Sequence, residues 1–211
     1  LVSGDTDFTN FPVLISYTDT DLVRDSDCTT IDGPCNASGY DIVFTSSNGT
    51  TQLDHEIETY TAASGLIVMW VEVPTLGATA DTDIYIYYGN SSISTSQEAI
   101  NGVWDSSYAA VWHLKESPSD TAPQFKDSTS NINHGTGSGN IASATGQIGN
   151  GIDFDGTDDY IEAADSASLS ITGDFTFEDW LKTESAPASG DEHGILSKNN
   201  TTGNQRSYSF T

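Results

Sequence analysis

Residues Gly146 to Trp180 read GQIGNGIDFDGTDDYIEAADSASLSITGDFTFEDW and carry the clearest periodicity in the chain. Ile152 and Phe154 stand two apart. A tight acidic turn, Asp155-Gly156-Thr157-Asp158-Asp159, follows them, and Tyr160 and Ile161 open a second strand. A small polar loop then leads to Leu169 and Ile171, and Phe175, Phe177 and Trp180 close the segment. Apolar residues at period two, with Gly, Asp, Ser and Thr between the runs, are the pattern of half-buried antiparallel strands.

The same pattern extends upstream. Phe8 to Tyr17 reads as a strand, with Pro12 placing it at a sheet edge or strand start because proline cannot donate to a ladder. Tyr40 to Thr45, Gln52 to Tyr60, Leu66 to Val73 and Asp83 to Tyr88 are further strands. Asn48-Gly49 is a hairpin signal, since that pair favours the positive φ angles of a primed turn. Leu66 to Val73 is apolar almost throughout, which predicts a central strand covered on both faces. Ser96 to Asn101 is the one expected helix. Gly194 to Ser197 and Ser207 to Phe210 are the last expected strands. The reading is an all-β chain of two antiparallel β-sandwich, jelly-roll-like domains in tandem: residues 1–92, a linker or short helix at 93–104, and residues 105–211.

Charge narrows the partners. The 211 residues hold 31 Asp+Glu against 6 Lys+Arg, a net charge of −25. Binding nucleic acid requires Lys and Arg to replace counterions at the phosphates, so that partner is excluded. An anionic membrane surface is disfavoured for the same reason, and no apolar run is long enough to insert. Three readings of the acidity stand: solubility at high salt, calcium binding, or a solvated surface. The even spread of acids along the chain favours the first. Cys28 and Cys35 flank a loop holding a Gly and a Pro, which fits a disulfide in an oxidising compartment. Free thiols in a reducing cell are the alternative. Sequons at Asn36, Asn48, Asn90 and Asn199 fit surface glycosylation. Leu1 begins just ahead of a strand without an initiator Met, and the expectation is a piece of a larger extracellular protein, secreted or on the cell surface.

Two resemblances follow from motifs in order. G-x-x-G-x-x-x-x-F-D-G-x-D-D-Y-I, then the F-T-F-E-x-W ending at Trp180, preceded by Val111-Trp112-His113-Leu114-Lys115-Glu116 and by Asp127 to Asn131, resembles the laminin-G-like, concanavalin-A-like jelly roll from about Val103 to Thr211. That likeness implies several more strands after Phe210, and a rim site for calcium. Upstream, F-P-V-L-I-S, G-Y-D-I-V-F-T, D-H-E-I-E-T-Y, M-W-V-E-V-P and I-Y-I-Y-Y-G-N resemble the DUF2341 family of domains of unknown function, over about Asp7 to Asn90. That family often precedes laminin-G-like domains in secreted and surface proteins.

Four sets of residues are candidates for chemistry. Calcium takes six to eight oxygens in flexible geometry, which Asp127, Asn131 and Asn133 in one loop and Asp155, Asp158 and Asp159 in another would supply. The competing reading is turn chemistry and backbone capping. Asp54, Glu56 and Glu58 fall on one face of a strand, with successive carboxylates about 7 Å apart. That separation is near those used by glycosidases, and some jelly-roll glucanases place their acids this way. The alternative is the outward face of a half-buried strand, with His55 and Ile57 facing the core. Tyr85 and Tyr87 share a strand face and are candidates for stacking on sugar, as are Trp70 and Trp104. Trp112 and Trp180 are expected in the core. His113 is expected as a packed structural histidine. The functional expectation is a non-catalytic recognition or adhesion module for a glycan or glycoprotein. Its rivals are a filament subunit assembled with other copies of itself by strand complementation, and a polysaccharide hydrolase fragment.

Overall fold

The computed structural model describes residues 6–29, 32–183, 194–200 and 205–210. Its strands are β1 (Phe8–Thr18), β2 (Val43–Ser46), β3 (Gln52–Leu53), β4 (His55–Thr61), β5 (Leu66–Leu76), β6 (Ile84–Tyr87), β7 (Gly135–Ser138), β8 (Ala142–Thr145), β9 (Asn150–Asp153), β10 (Tyr160–Ala163), β11 (Leu196–Asn200) and β12 (Gln205–Phe210). A short helix, α1 (Ile100–Val103), lies between β6 and β7. The strand pairings are antiparallel, and the chain is all-β.

Two three-stranded sheets, ordered β1-β5-β4 and β3-β2-β6, enclose the main core. Ile67, Met69 and Val71 of β5 meet Ile42, Phe44, Leu53 and Leu22 there. Burying each such side chain stabilises the fold by roughly 1.5–3 kcal/mol. β5 is the middle strand of its sheet, and Val68, on its opposite face, is buried as well. Cover on both faces accounts for its nearly continuous apolar run. Pro12 sits on β1, an edge strand, opposite Glu72, where its missing N–H costs the ladder nothing.

β4 is irregular in a way that matters. Its register against β5 shifts between Ile57 and Thr59, so Glu58 is the extra residue of a bulge. His55 and Ile57 face the core as expected, and Glu56 pairs with Trp70 on the other face of the sheet. The expected helix at Ser96 to Asn101 begins later, at Ile100. The Glu98 carboxylate accepts from the Ile57 N–H at 2.7 Å and the Ala99 N–H donates to His55 O at 3.1 Å, so this segment is tied to the open edge of β4 instead. The Asn48-Gly49 turn also differs. Gly49 alone has positive φ (72°), and the Asn48 side chain accepts from the N–H groups of Thr50 and Thr51, which makes a longer loop than a primed two-residue turn. Cys28 and Cys35 form a disulfide with Cα atoms 5.2 Å apart.

Beyond α1, the described strands form two-stranded pairs: β7 with β10, β8 with β9, and β11 with β12. The acidic turn at Asp155 to Asp159 therefore joins β9 and β10, which belong to different pairs. Residues 164–183 hold no strand, contrary to the period-two reading of Leu169 to Trp180. Phe175 and Phe177 pack their rings on Phe210 of β12, but without a ladder partner. Trp180 lies beyond those ring contacts and is 73% exposed, which corrects the expectation of a core position. Trp112 is half-buried, and its indole N–H donates to Asn133 O at 2.8 Å.

Candidate functional site

The acids of β4 do not face water. The segment after α1 folds back over the outer face of the β1-β5-β4 sheet and buries them, Glu56 to 2% and Glu58 to 7% exposure. The outward-face reading of this strand is thereby corrected. Period two fixed which residues share a face, but the cover comes from residues far along the chain. Asp54 stays only half-buried, and its carboxylate approaches Gly102 of α1.

Glu56 accepts from four donors. Ser128 Oγ lies at 2.8 Å and Trp104 Nε1 at 2.9 Å. His113 Nε2 follows at 3.1 Å and Lys115 Nζ at 3.4 Å. The other ring nitrogen of His113, Nδ1, lies 3.1 Å from Glu58 Oε2, and Lys115 Nζ lies 3.7 Å from the same oxygen. These last contacts bring opposite charges together without hydrogen-bond alignment, so the Glu58 oxygens stay unsatisfied. One imidazole thus lies between two carboxylates, with a ring nitrogen 3.1 Å from each. It is held in an aromatic cage, with ring centroids 5.9 Å from Trp70 and 5.6 Å from Trp104. Trp104 is buried at the junction, and Trp70 faces its ring at 5.1 Å, so neither offers a face to sugar. The packing expected for His113 is present, with its side chain 9% exposed.

The cluster is electrostatically asymmetric. Burial pushes the Glu56 carboxyl up, but the hydrogen bond and charge of His113, the charge of Lys115 and the Trp104 hydrogen bond outweigh it and hold the group at about 2. Burial also pushes Glu58 up. The cations His113 and Lys115 oppose that without reversing it, and the neighbouring charges of Glu56 and Glu116 add to it. The turn of the β8–β9 hairpin closes over Glu58: a side-chain carbon placed on Gly149 would stand 3.0 Å from Glu58 Cγ and Oε1. Glu56 and Glu58 are therefore both sealed from solvent by the downstream segment, though only Glu56 has its hydrogen bonds met. Two acids on one strand have the ingredients of glycosidase chemistry, but their side chains are 3% and 1% exposed.

His113 and Lys115 repeat the i, i+2 spacing of Glu56 and Glu58, and that matched spacing of opposite charge is the signal that could have revealed the pairing. Ser128 and Gly149 carried no such signal.

The other candidates fall elsewhere. Asp127 is buried and accepts four hydrogen bonds, from the N–H groups of Val111, Thr129 and Asn133 and from the Thr129 hydroxyl. It is a strut of its loop. Asn131 donates to Tyr108 O and Ala109 O. Asp155, Asp158 and Asp159 do gather, with oxygens within 4.8 Å of one another, and Asp127 is not among them. Asp159 accepts from the N–H groups of Asn140 and Asp155, which is the capping use of such a turn. Asn48 and Asn90 are exposed and Asn36 is half-buried, while the Asn199 side chain and His193 lie outside the described residues.

Tyr85 and Tyr87 are 47% and 46% exposed on the outer face of the β3-β2-β6 sheet, opposite Thr45 and Val43 of β2. No helix among the described residues is long and apolar enough to cross a membrane.

Searches among curated proteins and among solved structures find no match. The laminin-G-like resemblance of the downstream half has no family match beside it, whereas the upstream resemblance does, starting later and ending later than its motifs suggested. Residues 38–106, which carry β2 to β6, α1, both buried acids and Trp104 but not His113 or Lys115, match the family described as Domain of unknown function (DUF2341).

Proposed function

We propose that the chain is a non-catalytic recognition module of a secreted or cell-surface protein, and that it binds glycan through Tyr85 and Tyr87. The observation that carries this is the pair of outward tyrosines on one sheet face. They stand two residues apart, about 7 Å along the strand, they are exposed, and Gln52 of β3 shares their sheet face one strand further on, across Thr45 of β2. Exposed aromatic rings suit the apolar face of a sugar, and an amide on the same sheet face can bond its hydroxyls. The disulfide supports the extracellular setting. The downstream half is read as a laminin-G-like jelly roll on its motifs and its antiparallel pairs. The burial of Glu56 and Glu58 weighs against the hydrolase reading, because a general acid must reach its substrate.

The test is retention on immobilised polysaccharides of several linkages, followed by Tyr85→Ala and Tyr87→Ala. The expected outcome is retention by at least one polysaccharide, weakened about tenfold by each substitution. Retention unchanged in the double variant overturns the reading. Hydrolysis of any of these polysaccharides, lost in Glu56→Gln, would replace it with the enzyme.

A further inference from the structure

The sandwich is open along one side. Between β1, an edge of one sheet, and β6, an edge of the other, runs a groove of about 270 Å³. Ile15 of β1 forms one wall, Ile84, Ile86 and Tyr88 form the other, and Asp19 and Asp21 stand at the rim. Among the described residues, neither β1 nor β6 has a strand on its outer edge. Each such edge presents unpaired backbone donors and acceptors. The rim charge is uncompensated. Asp19 is fixed by the Tyr17 hydroxyl at 2.8 Å and the Asp21 N–H at 3.0 Å, and among the described residues no Lys, Arg or His pairs with Asp19 or Asp21.

Three needs meet in this place: backbone pairing, apolar side chains at alternate positions, and a cation at one end. An extended polypeptide meets all three. The volume is below the roughly 300–1,000 Å³ of small-molecule sites, which suits side chains entering from a strand. A second copy of this chain is the wrong charge, since two molecules of net charge −25 repel.

We propose that the groove between β1 and β6 is a docking slot for an extended segment of another protein. The segment adds a strand beside β6, inserts alternate apolar side chains against Ile84 and Ile86, and sets a Lys or Arg on Asp19 and Asp21. This is strand addition to an exposed sheet edge, with the pockets giving specificity. It uses the inner face of β6, opposite the tyrosines, and stands independently of glycan binding.

The probe is the peptide acetyl-KTVTVTVT-amide, whose Lys falls on the same strand face as its three Val, with acetyl-ETVTVTVT-amide as its charge-reversed counterpart. Both are titrated calorimetrically into the full chain at about 0.15 M ionic strength, where charges within about 8 Å still attract. Asp21 is exposed, so Asp21→Lys leaves the fold intact, and far-UV circular dichroism checks this. The expected result is at least tenfold tighter binding of the Lys peptide, an inverted preference in Asp21→Lys, and slower hydrogen exchange at β6 amides when the peptide is bound. Binding of neither peptide, equal binding of both, or binding that leaves β6 exchange unchanged overturns the proposal. Self-association of the chain alone that is abolished by Asp21→Lys also overturns it, because the occupant would then be a second copy.

Discussion

A carboxylate taken out of water needs donors, and Glu56 has four while Glu58 has none in hydrogen-bond alignment. The two therefore respond to pH in opposite senses. The Glu56 carboxyl is held at about 2 against an ordinary 4.5. A depressed folded value gives stability that is complete above the unfolded value and is lost as pH falls from 4.5 toward 2. The difference is about 2.5 pH units, which at roughly 1.4 kcal/mol each is about 3–4 kcal/mol. Urea unfolding across that window is expected to show this loss in the native chain. In Glu56→Gln it is expected to be largely absent, with the variant already less stable at neutral pH. Glu58 is raised, mainly by burial, so it opposes folding when ionised. The native chain is therefore expected to lose stability relative to Glu58→Gln as pH rises from 4.5 through the folded value. The same melts on both proteins measure the difference, and a constant gap between them counts against the cluster as drawn.

At the scale of elements, what the sequence could and could not show has a physical cause. β5 was legible because cover on both faces leaves only apolar residues, and β1 because Pro12 marks an edge. The faces of β4 were legible too, since His55 and Ile57 do face the core. The fate of Glu56 and Glu58 was not, because local periodicity says nothing about what folds over a face from more than fifty residues away. The helix at residues 96–101 failed for a related reason: Glu98 is used to satisfy the N–H of Ile57. Glu98→Ala is expected to cost about 1 kcal/mol, as a half-buried donor loses its partner, and to speed exchange of the Ile57 amide selectively. The hairpin of β8 and β9 offers a second test. Gly149 has φ of 61° and lies against Glu58. Gly149→Ala meets both a strained backbone and a crowded neighbour, and is expected to destabilise by more than about 1 kcal/mol. Part of that loss should return when Glu58 is also shortened to Ala, which a double-mutant cycle on thermal stability would read.

For the whole molecule, the governing quantity is a net charge of −25 on 211 residues with only 6 Lys+Arg. Two of those cations, Lys115 and Lys198, are already in ion pairs, so most of the acids have no positive partner. Their mutual repulsion opposes compaction. Salt shortens its range to about 3 Å at 1 M, whereas the buried Glu56 cluster lies beyond the reach of screening ions. Scanning calorimetry is therefore expected to show the midpoint rising steeply between 0.05 and about 2 M NaCl. The rise should be nearly the same in KCl, because screening depends on charge and concentration rather than on ion identity. The Glu56→Gln penalty, by contrast, should change little across the same range. Calcium separates screening from a built site. At matched ionic strength, a few millimolar calcium should leave the midpoint where it was if the gathered Asp155, Asp158 and Asp159 serve as a capped turn. A midpoint that climbs with calcium at constant ionic strength, and falls back in Asp158→Asn, would instead make that turn a ligand set, since a ligand that binds the folded state alone raises its stability by mass action.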